Sequence, residues 1–324
     1  MDILRYSLIL TVLFLGLSFF STEVNAQIRF DQNGRWETTF DCPEWNHPDR
    51  GWYDPCPNES GLQSRGGTVD GKRTKITSDA NYPQGGGGRG ARFWTGSGDA
   101  NRQSAHMRVT FDTRQPELWV SYYFRYEQGF QWVYGAGAGT KEIYWDVNMS
   151  GGGADAYTGI MDTTVRTVNQ GGARIDGRLV YPSSGGSLGW DHIYSGGVSD
   201  GSWHSMEVYM LIESGDGRFD GAGRIWVNGE LVAEQTNMNW GGNSGASGHG
   251  WTHFEFLSNQ KDPGLSRAYY ADVDDMVIYN RTPPNTDAHG NPFIGAVGGG
   301  GGGTPSPAPP SSVTIRPPTG IAVY

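Results

Sequence analysis

The sequence predicts an all-β sandwich, and three observations carry that prediction. The 324 residues include 51 glycines and 13% aromatics. No long stretch repeats its apolar residues at helical spacing. Short runs that alternate apolar and polar residues recur instead, separated by Gly- and Asp-rich turns, as expected of strands with one buried face.

The first segment, Met1 to Ala26, reads as a secretory signal peptide. Arg5 precedes an apolar core from Leu8 to Phe20, and Val24-Asn25-Ala26 resembles a small-residue cleavage site. The apolar run is about 13 residues, short of the roughly 20 that span a bilayer, so no membrane span is expected. The product is expected to be secreted, extracellular or periplasmic. In that setting the two cysteines, Cys42 and Cys56, are expected to form a disulfide. The formal net charge of −10 argues against a nucleic-acid partner, and an acidic ligand would need a local basic patch.

Residues 27–297 read as one large sandwich domain. Phe30, Trp36 and Phe40 mark the first strand. Gly85 to Gly88 form a glycine run with no helix after it, and read as a flexible loop at the sandwich rim. From Arg102 to Asp112, Met107, Val109 and Phe111 alternate with His106, Arg108 and Thr110. From Leu118 to Tyr126, Val120, Tyr122 and Phe124 alternate with Trp119, Ser121, Tyr123 and Arg125. Lys141 to Asn148 sets Ile143, Trp145 and Val147 against Tyr144 and Asp146. Gly151 to Ser199 reads mostly as loop, with short strands around Thr163–Val168 and Ile175–Tyr181. Such a length suits a wall or lid over a binding face, with Trp190 where it returns.

The central stretch is Asp200 to Val232. Met206, Val208, Met210 and Ile212 alternate with Ser205, Glu207, Tyr209 and Leu211. After an Asp/Gly-rich loop, a strand from Arg224 to Val227 enters an Asn228-Gly229 hairpin turn and leaves through Leu231 and Val232. Thr252 to Asn259 alternates Phe254 and Phe256 with His253 and Glu255. The last strand is expected within Arg267 to Tyr279. Residues 298–312 are a Gly/Pro/Ser linker, and residues 313–324 form a short tail or a truncated module.

Trp203-His204 with Glu207-Val208-Tyr209, followed by Arg224-Ile225-Trp226-Val227-Asn228-Gly229 and Leu231-Val232, resembles the concanavalin A-like lectin/glucanase superfamily. The nearest likeness is to its polysaccharide-lyase-like jelly rolls. Tyr269 to Asp275 resembles the closing strand of that superfamily. The resemblance implies an all-β, concanavalin A-like jelly-roll β-sandwich of two antiparallel sheets, with a glycan on the concave face. The polar strand faces would then supply His106, Arg108, Tyr123, Arg125, Tyr144, Asp146, Glu207, Tyr209, His253 and Glu255. Trp119, Tyr123, Trp190 and Trp240 would stack on sugar rings. No cofactor is required by this reading. Asp272, Asp274 and Asp275 are candidate ligands for a structural Ca²⁺, as in many superfamily members.

Three functions fit these residues. The first is binding of a polysaccharide without cleavage. The second is β-elimination of an acidic, uronate polysaccharide. There Arg108 and Arg125 would match the carboxylate with a fork of N–H donors. His106 or His253 would take the C5 proton, and Tyr144, Tyr123 or Tyr209 would protonate the leaving oxygen. The third is a structural or adhesive surface protein that uses the linker and tail. The R-T-E-L-R, Q-I-H and Y-x-K-x-G-x-Y strands of alginate lyases are absent. A laminarinase-type glycosidase is disfavoured, because no E-x-D-x-E occurs to place two carboxyls about 5 Å apart on one strand.

Overall fold

The computed structural model describes residues 27–46, 52–56, 62–65, 72, 74–95, 106–130, 141–146, 160–168, 172–180, 187–194, 198, 200–215, 218–238, 250–258 and 267–296. The signal-like segment, Trp240, the linker and the tail lie outside the described residues.

The strands are β1 (Arg35–Thr38), β2 (Trp45–Asn46), β3 (Trp52–Tyr53), β4 (Leu62–Arg65), β5 (Lys75–Thr77), β6 (Gly90–Thr95), β7 (His106–Gln115), β8 (Glu117–Tyr126), β9 (Lys141–Asp146) and β10 (Ile160–Val168). They continue with β11 (Gly172–Val180), β12 (Ser187–Tyr194), β13 (His204–Leu211), β14 (Gly221–Val227), β15 (Glu230–Met238), β16 (Trp251–Ser258), β17 (Tyr269–Tyr279), β18 (Asn285–Thr286) and β19 (Pro292–Phe293). A nine-stranded sheet runs β15-β14-β13-β8-β17-β6-β5-β2, with β1 also beside β17. An eight-stranded sheet runs β12-β11-β10-β9-β16-β7-β4-β3. The predicted two-sheet, all-β architecture is therefore present.

Alternation explains the core between the sheets. Met107, Val109, Phe111 and Phe254 enter it from the eight-stranded sheet. Val120, Tyr122, Phe124, Met206, Val208 and Met210 meet them from the other. The Asn228-Gly229 turn forms as expected: φ is +53° at Asn228 and +81° at Gly229, the pair of positive values a type I′ hairpin requires. Asn228 Oδ1 also accepts from Ser205 N at 3.0 Å, which ties the turn to β13. Gly151 to Ser199 differs from expectation. Instead of a loop with two short strands, it supplies β10, β11 and β12, which extend the eight-stranded sheet outward from β9. Two glycines, Gly172 and Gly177, interrupt the alternation in β11.

The nine-stranded sheet is covered on its outer side as well. Residues 284–296 fold back as a strap that contains the β18–β19 hairpin. Trp119, Tyr209, Trp226 and Val277 form a second apolar cluster with Ile294 of the strap. Trp226 Nε1 donates to Asp287 at 2.9 Å, and Trp119 Nε1 donates to the Pro292 carbonyl at 3.3 Å. Glu207 lies beneath the strap, 2% exposed, and accepts from the backbone N–H groups of Ile294 at 2.7 Å and Gly295 at 3.1 Å.

Strand β17 runs through the middle of this sheet. One of its edges meets β8. The other meets β6 along Tyr269 to Val273 and β1 along Met276 to Tyr279. Between those two partners the strand bulges. The register against β8 gains a residue between Asp274 and Val277, and Asp275 takes φ +47°. The bulge keeps both Val273 and Met276 in the core. At the gap, Asp274 accepts from Tyr82 N at 2.6 Å, and both oxygens of Asp275 accept from Gly86 N at 3.1 Å. The glycine run is thus packed rather than loose: a Cβ on Gly85 would stand 1.5 Å from Asp275 Oδ2.

Asp272 is fully buried between two arginines. Its Oδ1 accepts from Arg92 Nε at 2.7 Å. Its Oδ2 accepts from Arg92 Nη2 at 3.0 Å, from Arg125 Nε at 3.0 Å and from Arg125 Nη2. Both guanidiniums also donate to the Asp79 carbonyl, at 3.0 and 2.8 Å.

The expected Cys42–Cys56 disulfide is present, and Cys42→Ser/Cys56→Ser should cost about 3 kcal/mol in urea unfolding. Asp272→Ala strands two buried guanidiniums and should cost about 3–5 kcal/mol. Asp79→Ala, which keeps the accepting carbonyl, should cost less than about 1 kcal/mol. Equal losses would show that the clamp is not what holds β17. Burial pushes the Glu207 carboxyl up from its usual 4.5 to about 8, against the pull of its two N–H donors. The folded chain therefore keeps a proton that the unfolded chain has released. This contribution is complete below about pH 4.5 and fades as pH rises to about 8. Urea midpoints taken across that range should fall more steeply for the parent than for Glu207→Gln, and parallel curves would contradict the assignment.

Candidate functional site

The expected set of polar residues divides between the sheets. His106 and Arg108 lie on β7, Tyr144 and Asp146 on β9, and His253 and Glu255 on β16. These three strands are adjacent in the eight-stranded sheet, with β16 in the middle. Tyr123, Arg125 and Trp119 on β8, and Glu207 and Tyr209 on β13, belong to the nine-stranded sheet. A single trough for all of them is therefore corrected. Alternation along a strand states which residues share its face. It does not state which sheet the strand joins.

The residues on β8 and β13 have other partners. Trp119 is 1% exposed and Glu207 2%, both under the strap. Tyr209 donates its hydroxyl to Glu117 at 2.8 Å and packs on Trp119 with ring centroids 4.6 Å apart. Burial and the Glu117 carboxylate push the Tyr209 hydroxyl well above its ordinary value, so it is a poor proton donor at neutral pH. Tyr123 stacks on Tyr82 at 3.8 Å, and Arg125 is bound to Asp272. The strand carrying Trp190, β12, is at the far end of the eight-stranded sheet, five places from β7.

On the eight-stranded sheet the register brings the remaining candidates into rows. Glu255 stands between Tyr144 on β9 and Arg108 on β7. Gln63 of β4 stands on the other side of Arg108, so one row reads Tyr144, Glu255, Arg108, Gln63 across four strands. In the next row His253 stands between Asp146 and Thr110. His106 faces Arg65 of β4. Directly opposed residues sit about 5 Å apart and diagonal ones about 7–8 Å, within reach of a single sugar unit.

Arg108 donates from Nε to Glu255 Oε1 at 2.8 Å and from Nη2 to the same oxygen. Glu255 is 8% exposed and His253 7%, whereas the Arg108 side chain is 29% exposed. The His253 Nδ1 lies 3.1 Å from Thr252 Oγ1, within hydrogen-bond distance. Phe254, between the two, points the other way into the core with no exposure, which fixes His253 and Glu255 on the outward face. A cation, a carboxylate and an imidazole thus lie on neighbouring strands. They can bind a carboxylate or hydroxyls and exchange protons with a bound ring.

Sequence reasoning missed Gln63 and Arg65. Strand β4 is only four residues long, and Leu62 is its one apolar member. It also missed Arg92, although Ala91 and Phe93 alternate with Arg92 and Trp94 and could have revealed it.

Asp272, Asp274 and Asp275 do not converge as calcium ligands. The oxygens of Asp272 are taken by two guanidiniums. Asp274 accepts from the N–H groups of Tyr82 and Asp275, and Asp275 accepts from Gly86 across the bulge. Burial pushes Asp274 up to about 8 and Asp275 up to about 6. Among the described residues, no group of three His, Cys, Asp or Glu side chains is placed to hold a metal ion. As a set, the three aspartates do not fit one calcium ion. Among the described residues no helix is long and apolar enough to cross a membrane.

No protein-family model matches the chain, and no curated protein matches it. Solved structures do. Alginate lyase Aly36B is 15% identical with a TM-score of 0.50, over 76% of this chain and 96% of that one. A double mutant of the same lyase in complex with alginate trisaccharide is 16% identical with a TM-score of 0.52, over 77% of this chain and 99% of that one. An endo-β-1,4-glucuronan lyase from the fungus Trichoderma reesei is 13% identical with a TM-score of 0.47, over 68% of this chain and 89% of that one. At such identity the likeness to Aly36B carries the fold alone. With its two antiparallel sheets and its strand order, the chain has the concanavalin A-like jelly-roll fold that it shares with that lyase.

Proposed function

We propose that this chain is a secreted polysaccharide lyase that cleaves a uronate-containing glycan on the outward face of its eight-stranded sheet. One observation carries the reading: His106, Arg108, Tyr144, His253 and Glu255 gather on three adjacent strands, β7, β16 and β9. The fold shared with an alginate lyase supports it. So does the disulfide, which suits an oxidising compartment.

The split between the sheets narrows each role. Of the two arginines considered, Arg108 is on this face, and Arg125 is committed to Asp272 on the other sheet. Of the three tyrosines, Tyr144 is on this sheet. Arg108 would bind the uronate carboxylate and withdraw charge from it, which makes the C5 proton easier to remove. A histidine, His253 or His106, takes that proton. The electron pair forms the C4=C5 double bond as the C4–O bond breaks, and Tyr144 gives its proton to the departing oxygen. Glu255 holds Arg108 in place, and the Arg108 side chain stays 29% exposed.

A second reading is binding without cleavage, and the same ion pair favours it. Arg108 is already matched by Glu255, and Asp146 adds a carboxylate opposite His253. Such a face repels a polyuronate more than it repels a neutral glycan.

Incubation with alginate and with polyglucuronate should release chain ends with the ultraviolet absorbance of an unsaturated uronate. His253→Ala or Tyr144→Phe should lower kcat about 10²–10⁴-fold. Arg108→Ala should mainly raise KM. Absence of unsaturated ends on every uronate polymer, with retardation in gels of a neutral glucan, would favour the binding reading. Full activity in all three variants would remove the proposed face.

A further inference from the structure

The outer face of the nine-stranded sheet carries a second array of ligand-type side chains, on the opposite side of the sandwich. Cations pair with aromatic rings along it. The Lys72 ammonium lies 4.2 Å over the Trp94 ring. Trp94 meets Tyr270 edge-on with centroids 5.4 Å apart. The Arg92 guanidinium lies 3.9 Å over Tyr270, and that of Arg125 lies 4.7 Å over Trp203. Strand pairing sets the order: Trp94 is opposite Tyr270, and Asp272 stands between Arg92 and Arg125. The array crosses β6, β17 and β8 and ends one residue before β13, three strand spacings or about 14 Å.

Its exposure and charge suit a ligand. Lys72 is exposed, and Trp94, Tyr270, Arg125 and Trp203 are half-buried. Among the described residues, Lys72 has no carboxylate partner, and Arg125 Nη1 makes no hydrogen bond, because Asp272 and Asp79 engage its Nε and Nη2. Lys75 stands 3.6 Å from Asp79. Lys72, Lys75, Arg92 and Arg125 therefore outnumber Asp79 and Asp272, on a chain whose net charge is −10. A fully buried aspartate holds both arginines rigid, so little conformational freedom is lost when they meet an anion.

We propose that this strip is a second glycan-binding surface, specific for an acidic polysaccharide. The polymer lies along Trp94, Tyr270 and Trp203, and its carboxylates or sulfates meet the more exposed cations, Lys72 and Arg125. It needs no catalysis on the other sheet. A chain that also engaged the opposite face would hold one polymer at two points, or two polymers at once.

Affinity electrophoresis of the full chain tests it, in gels cast with alginate, polyglucuronate or chondroitin sulfate and with neutral laminarin as control. His253→Ala serves as the background, so that turnover cannot erode the gel. Lys72→Glu and Trp94→Ala leave the Asp272 clamp intact. At least one acidic polymer should retard the background protein, and added salt should weaken that retardation. Apparent affinity should drop about fivefold in Lys72→Glu and further in Lys72→Glu/Trp94→Ala. If the double variant melts early, Lys72→Glu alone decides. The proposal is overturned by no retardation in any acidic gel, by equal retardation in laminarin, or by retardation that Lys72→Glu leaves unchanged. Release of unsaturated ends by the parent reports on the other face separately.

Discussion

The structure depends on how β17 accommodates its buried aspartates. It lies inside a sheet whose inner face packs on the core and whose outer face is covered over part of its length by the strap. Yet its sequence places Asp272, Asp274 and Asp275 there, each 3% exposed or less. A buried carboxylate without partners is costly enough to unfold a domain of ordinary stability. Each of the three is therefore matched by a different device. Asp272 has two guanidiniums. Asp274 and Asp275 have backbone N–H groups of the Tyr82 to Gly86 loop. These matches also bind distant parts of the chain together. Residues 79–92 and 125 are drawn to the closing strand, and the bulge at Asp275 exists where β6 ends and β1 begins. The glycine run belongs to this device, since only a residue without a side chain lets the loop approach Asp275.

The strap repeats the principle on β13. Glu207 and Tyr209 look from the sequence like the polar face of a half-exposed strand. Ile294 and Phe293 cover that face, and its polar atoms are turned to backbone donors and to Glu117. A sandwich sheet that is covered on both faces cannot be recognised from a period of two, because its outer residues are polar for internal reasons.

That limit marks how much was legible. The inward sets were legible in full detail where strands are long: Met107 to Phe111, Val120 to Phe124 and Met206 to Met210 all line one core. The Asn228-Gly229 turn and the disulfide were legible because each rests on local chemistry alone. Three things were not. The sheet membership of each strand depends on pairings between residues more than a hundred apart, such as Arg108 with Glu255. Strands β10 to β12 carry glycine and threonine where apolar residues would reveal a period. The bulge at Asp275 has no signal, since an aspartate at positive φ looks like any other aspartate in sequence.

Separating the two sheets changes what each arginine can do. Arg108 is paired with Glu255 and keeps a 29% exposed side chain. Arg125 shares Asp272 with Arg92 and stacks on Trp203. A guanidinium that a carboxylate orients and that stays partly exposed can meet a uronate while Glu255 keeps it in place. A guanidinium pinned by a fully buried aspartate is held in a fixed position. The first arrangement suits a site where a ligand must be bound, altered and released. The second suits a surface that only holds. Under the proposed reading, the same residue type at the same kind of strand position would serve turnover on one sheet and retention on the other, according to how firmly each arginine is pinned.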